Sequence, residues 1–169
     1  NSKCTVIAKG DPCKGSSCVK YAYIRLSQFG DNTNAEWVSM VKVISEKLSQ
    51  DKSIKGIVFD LRNNPGGYLS DATFISSEFL KKGLVVVSEE SNSQIQQGSM
   101  NVTRDGLLLE PRVVILINKG SASASEIVAG ALRDHKRAIL VGETSFGKGT
   151  IQTAEDLGGG AGIHVTIAK

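Results

Sequence analysis

Gly120-Ser121-Ala122-Ser123-Ala124-Ser125-Glu126 joins a hydroxyl side chain to the signature of a helix start. Ser123 and Glu126, three residues apart, fit the pattern of a capping box, and the plain reading of Ser123 is an N-cap. The same position suits a nucleophile. A helix N-terminus offers backbone N–H groups and partial positive charge, which favour an oxyanion. Ala122 and Ala124 are small enough for a substrate backbone to come close. Attack by Ser123 on a carbonyl would then need a base to take the hydroxyl proton.

Two histidines are present, and neither fits that role. His135 lies at the far end of the helix that Ser123 opens, on the order of 18 Å away at the α-helical rise. His164 falls in a terminal strand with no acid partner evident in the sequence. Lys148, flanked by Gly147 and Gly149 with Phe146 close by, is the better candidate. A free lysine titrates near pH 10.4, so a lysine base needs surroundings that favour its neutral form. Packing of Phe146 over the amine would supply them, and a Ser/Lys pair is an accepted nucleophile design. The plain reading of Lys148 is a solvated loop lysine.

Gly142-Glu143-Thr144-Ser145-Phe146-Gly147-Lys148 also matches the start of a phosphate-binding loop. That motif requires Ser or Thr directly after the lysine, to hold magnesium, and then a helix. Gly149 occupies that place, and Ile151-Gln152-Thr153-Ala154 does not read as a helix. Nucleotide binding is therefore disfavoured; magnesium-dependent ATP binding would revive it.

Placing Ser123 and Lys148 together falls to the elements around them. Val113–Ile117 reads as a buried strand, 124–135 as a helix and 138–141 as another strand. If the strands of this βαβ unit are parallel, the residues following each lie on one sheet edge, although Ser123 and Lys148 are 25 positions apart. The apolar run 54–61 predicts another strand, whose Pro65-Gly66-Gly67 turn reaches the same edge. Ligands in such sheets sit beyond the carboxyl ends of the strands. Elsewhere, 19–26 alternates as a strand, and the turn-rich stretch Gly10 to Ser17 joins it to a preceding one as a hairpin. Asn32 or Asn34 caps a helix over 35–49 bearing Trp37, Val41, Ile44 and Leu48 on one face. A second helix is expected over 69–81, a strand over 83–88 and a hairpin or flap over 89–110. Residues 143–161 read as loops around a short extended piece, and the C-terminus as a strand. The alternation defines an α/β fold with a partly parallel sheet flanked by helices.

The 169 residues suit one domain with a sizeable core. A net charge of +3 with no dense basic run, and few aromatics, argue against nucleic acid. No apolar stretch reaches the length of a membrane span, so no stable membrane insertion is expected. Neither a metal nor a cofactor is called for. Asn1-Ser2-Lys3-Cys4 is not a signal peptide, and the lack of an initiator Met and the abrupt end suggest a processed or cut-down chain. Cys4, Cys13 and Cys18 are not spaced as a zinc site. One local disulfide plus a spare thiol is the expectation, the pairing among the three left open with Cys13 and Cys18 spaced so that a local bridge could form, and it points to an oxidising compartment. Asn101-Val102-Thr103 fits a glycosylation acceptor triplet, which also arises by chance.

Gly56-Ile-Val-Phe-Asp-Leu-Arg-Asn-Asn-Pro-Gly-Gly67, Gly120 to Ile127, Phe146-Gly-Lys-Gly-Thr-Ile-Gln152 and Tyr23 to Phe29 together resemble the carboxyl-terminal processing (tail-specific) serine peptidases. The resemblance runs from about residue 19 to the end. It implies a Clp protease/crotonase-like core as a single domain. It makes Ser123 the nucleophile, Lys148 the general base and Gln152 the residue that orients the lysine. It puts the oxyanion donors at the backbone N–H of Ala124 and of a turn glycine, Gly67 or alternatively Gly66. It implies an endopeptidase acting through an acyl-enzyme near apolar carboxyl tails of proteins, outside the cytoplasm, in a bacterial periplasm or envelope or a plastid lumen. The family usually carries a PDZ-type domain before the core, and no segment here is long enough to be one. Residues 1–18 match no family motif. The alternative is an inactive or truncated relative that binds peptides without cutting; the presence of Ser123, Lys148 and Gln152 together favours the enzyme.

Overall fold

The computed structural model describes residues 4–6, 19–89 and 98–168. A five-stranded sheet forms the centre. Its strands are β1 (Cys4–Val6), β2 (Lys20–Leu26), β3 (Ile54–Asp60), β6 (Val113–Ile117) and β7 (Ala138–Gly142), in the order β1-β2-β3-β6-β7. β2, β3, β6 and β7 run parallel, and only β1 is antiparallel to its neighbour. The crossovers are helical: α1 (Thr33–Gln50) lies between β2 and β3, α2 (Leu69–Ser76) follows β3, and α3 (Ala124–Asp134) joins β6 to β7. The partly parallel α/β sheet is thus the one the alternation requires.

The short β3, in which Ile57 and Phe59 are buried, has the near-continuous apolar character of a strand covered on both faces. In α1, Trp37, Val41 and Ile44 are buried on one face and Leu48 packs at the core's margin. Trp37, Phe59 and Phe79 meet at centroid separations of 5.3 to 5.9 Å and join α1, β3 and the turn after α2.

Several boundaries differ from the sequence reading. α2 ends at Ser76 rather than near 81, and the chain tightens through Phe79 N–H to Ser76 O. Ser77 Oγ turns back to Thr73 O, while the buried Glu78 carboxylate accepts from Arg104 and from Leu107 N–H. Polar groups that bond locally in this way compete with a continuing helix. The strand expected over 83–88 is β4 (Val85–Glu89), and it pairs antiparallel with β5 (Gly98–Asn101), so the pairing begins before the expected 89–110 hairpin or flap, of which residues 90–97 lie outside the described residues. The last segment is a second hairpin, β8 (Ile151–Gly158) with β9 (Ala161–Ala168), rather than loops around one short piece. Gly158, Gly159 and Gly160, all at positive φ, make its turn. β1 pairs antiparallel with β2, Cys4 opposite Leu26 in register, while the turn expected over Gly10 to Ser17 lies outside the described residues. The bridge that Cys13 and Cys18 could form also lies outside the described residues. Among the described residues, no helix is long and apolar enough to cross a membrane.

Candidate active site

Three loops converge at the carboxyl ends of the parallel strands. Leu61 N–H donates to Leu116 O, so the turns after β3 and β6 leave the sheet together. Asn118 Oδ1 accepts from Asn63 N–H, and Asn118 Nδ2 donates to Asn63 Oδ1. The fully buried Ser121 donates through Oγ to Leu61 O, and the fully buried Ser125 donates to Asn64 O. Asn64, also fully buried, ties three segments: its amide donates to Leu26 O, its Oδ1 accepts from Gly66 N–H, and its carbonyl accepts from Ala122 N–H.

These bonds set the Gly66-Gly67 turn directly against Ser123. A Cβ on Gly66 would lie 2.7 Å from Ser123 Cβ and 2.9 Å from Ala124 N. Gly66 adopts φ 94°, which only glycine takes readily. Its N–H is already given to Asn64 Oδ1, whereas the N–H groups of Gly67 and Ala124 have no acceptor among the described residues. That leaves Gly67 and Ala124 as the open donor pair. A cleft of about 350 Å3 opens beside Gly67, between it, Tyr68 and the loop 28–32.

Ser123 is the N-cap of α3 and sits at φ 55°, ψ −119°. A positive φ is uncommon for a residue with a Cβ, and such strain persists where surrounding contacts over-determine the backbone. Glu126 provides one such contact. Its Oε2 accepts from Ser123 N–H at 2.8 Å, the reach-back expected of a capping box. The same oxygen accepts from Lys148 N–H at 3.0 Å, while Oε1 accepts from Ser145 Oγ and Gly147 N–H, each at 2.7 Å. Burial works against the charged form of Glu126, but the bonds from Ser145, Gly147, Ser123 and Lys148 outweigh it and hold the carboxyl below its ordinary value.

Ser123 and Lys148 therefore share one acceptor oxygen across 25 positions of chain. Lys148 Nζ donates to Gln152 Oε1 at 3.2 Å, with Gln152 on β8. The desolvated lysine expected from the sequence is not what is found: Lys148 is exposed, and Phe146 is 71% exposed rather than packed over the amine. The loop is held by its backbone, through Phe146 N–H to Ser121 O and the Glu126 bonds, which leaves the side chains outside the core. The histidines lie elsewhere. His135 Nε2 is 2.7 Å from Val85 O at the C-terminal end of α3, and His164 is paired opposite Ala154 in the last hairpin.

At the root of the glycine turn, Arg62 grips the fully buried Asp60 through Nε to Oδ1 at 2.9 Å and Nη2 to Oδ2 at 2.7 Å. Tyr23 Oη donates to the same carboxylate. Burial opposes the Asp60 charge, but the bonds from Arg62 and Tyr23 prevail and keep its carboxyl below the ordinary range. No cluster of His, Cys, Asp or Glu among the described residues is arranged to hold a metal. The sequence reading missed the positioning parts played by Asn64, Ser121 and Ser125, and saw Glu126 only as a cap. An Asn before Pro-Gly announces a side-chain-stabilised turn, but its partners across the sheet have no local signal.

Residues 20–169 match the model of peptidase family S41. The chain is 44% identical over 146 residues to a carboxy-terminal-processing protease of Bartonella bacilliformis, covering 86% of this chain and 33% of that protein. It is also 44% identical over 147 residues to a carboxyl-terminal-processing protease of a Synechocystis species, covering 87% and 33%. The solved photosystem II D1 C-terminal processing protease superposes with a TM-score of 0.76 at 34% identity, over 99% of this chain and 42% of that one. The chain belongs to peptidase family S41, among the carboxyl-terminal processing peptidases. It spans about a third of the length of the curated relatives it matches.

Proposed function

We propose that this chain is the catalytic core of a serine endopeptidase that cleaves proteins near their carboxyl termini through a Ser123/Lys148 pair. The observation that supports this reading is the Glu126 oxygen that accepts from both Ser123 N–H and Lys148 N–H and so holds the backbones of both candidates on one carboxylate. In the first step Ser123 Oγ attacks the scissile carbonyl and its proton passes to the neutral Nζ of Lys148. The developing oxyanion takes hydrogen bonds from Ala124 N–H and Gly67 N–H. Lys148 then gives the proton to the leaving amine, and an ester to Ser123 remains. Water, deprotonated by Lys148, opens the ester and frees the new carboxyl terminus, and Lys148 returns that proton to the departing Ser123 Oγ. Gln152 Oε1 holds the amine in place between steps.

Substrates are unfolded or extended proteins with apolar carboxyl tails, which enter by the cleft beside Gly67. No cofactor is needed for these steps. The setting is extracytoplasmic; relatives include chloroplastic C-terminal processing peptidases of Tetradesmus obliquus and Arabidopsis thaliana. The test is incubation with an unfolded protein bearing an apolar carboxyl tail, followed by mass spectrometry. Cuts confined to the tail region and absent with Ser123→Ala are expected. Cleavage that survives Ser123→Ala removes the assignment.

A further inference from the structure

A helix cap needs only one of the bonds that Glu126 makes, the one from Ser123 N–H. Three further donors come from a loop 19 to 22 positions later: Ser145 Oγ, Gly147 N–H and Lys148 N–H. Two carboxylate oxygens offer about four acceptor sites, and here four donors fill them. Little else steadies that loop. Residues 143–150 contain no regular element, Gly147 adopts φ 87°, and the Lys148 side chain is exposed. Phe146 N–H to Ser121 O is its other backbone tie to the nucleophile turn.

We propose that Glu126 is the positioning residue of the Ser/Lys pair, its ionised carboxylate clamping the loop 145–148 onto the turn that carries Ser123. This rests on the Ser123/Lys148 reading above. Glu126 touches no reacting atom. Its effect is on where the Lys148 backbone sits and therefore on what its amine can reach, while Gln152 steadies the other end of that side chain. A carboxamide of the same shape cannot replace it. One of its two heavy atoms is an NH2 donor, which would face N–H or O–H donors where an acceptor is required.

The discriminating experiment compares Glu126→Gln, Ser145→Ala and Ser123→Ala in the full chain, with steady-state kinetics on the apolar-tailed substrate and amide hydrogen exchange. Glu126→Gln is expected to lower kcat by about 100-fold, the scale of a misplaced catalytic group, with KM little changed. Exchange at the Gly147 and Lys148 amides should quicken while the interior of α3 keeps its protection. Ser145→Ala removes a single donor and should fall between the wild type and Glu126→Gln. A Glu126→Gln protein with wild-type kcat overturns the proposal. So does one whose α3 amides lose protection together with the loop while Ser145→Ala stays at wild-type kcat, since Glu126 would then be a helix cap and nothing more. If Ser123→Ala is active, the Ser/Lys reading itself falls; if it is inactive beside a fully active Glu126→Gln, only the clamp falls.

Discussion

In the proposed mechanism Lys148 accepts the Ser123 proton and must be neutral to do so. Lys148→Ala and Lys148→Arg should both abolish cleavage. The arginine keeps a cation at the site but stays protonated and cannot serve as base. His135→Ala and His164→Ala should keep most of the activity, since His135 lies against Val85 O and His164 sits in the last hairpin. The measurement is kcat/KM across pH for the four variants. Normal cutting by Lys148→Arg, or a well-folded but inactive His135→Ala, takes the base role away from the lysine. Ser123 was legible in the sequence as a helix start, because a capping box is a local pattern. Its strained φ was not, because that backbone state is imposed by Glu126 and by the glycine turn packed against it.

Between α1 and α2, Asn34 Nδ2 donates to Asp71 Oδ1 at 3.1 Å, while Asn34 Oδ1 and Asp71 Oδ2 are both buried without a donor. Burial is the main cause that raises the Asp71 carboxyl above its ordinary value, and the neighbouring Asp31 adds to it. A carboxyl raised by folding stabilises the fold fully below its unfolded value near 3.8, and that stabilisation is lost as pH climbs through the folded value. Asp71→Asn removes the titration and puts an NH2 donor in place of one carboxylate oxygen. It should stabilise the protein at neutral pH by about 1–3 kcal/mol, the cost of a buried unpaired polar group. Thermal melts from pH 4 to 8 should show a flatter profile than the wild type. A variant less stable than wild type at neutral pH, with an unchanged slope, would show that Asp71 is charged and satisfied in the fold. α2 also marks a limit of pattern reading: apolar residues continue to Leu80, yet the helix stops at Ser76, because Glu78 is drawn to Arg104 and Leu107 from the far side of β5.

In the whole molecule, the ring cluster of Trp37, Phe59 and Phe79 ties the helices to the sheet whose edge carries the site. Phe79 is 1% exposed, so Phe79→Ala leaves a cavity at that junction and should cost about 3–5 kcal/mol. Chemical denaturation should show a lowered midpoint with an unchanged slope. A loss under about 1 kcal/mol would mean the site collapses around the gap, and the junction is then less tightly packed than it stands here. The β8–β9 hairpin forms its own two-stranded sheet and leaves Leu157, Ile163 and Val165 exposed. It still carries Gln152, so the hydrogen-bond partner of Lys148 stands on a different sheet from the strands that α3 connects.

From the sequence alone came the α/β class, the parallel βαβ unit and the three loops that meet at one edge. These follow from apolar periodicity and from the handedness of crossovers, both of which act over short stretches of chain. Sequence pattern likewise singled out Ser123, Lys148 and the Gly66-Gly67 turn as chemically unusual, and the family resemblance added Gln152. The pattern did not say which glycine N–H stays open: the resemblance placed the donor at Gly67 with Gly66 as the alternative, and in the fold Asn64 Oδ1 takes the N–H of Gly66. It also anticipated a buried lysine, whereas tertiary structure fixes this loop through its backbone and leaves the amine exposed. Glu126 shows the reason most directly. Its bond to Ser123 is local and could be read from three residues of spacing; its bonds to Ser145, Gly147 and Lys148 exist only once the folded sheet has brought distant loops within reach of one carboxylate.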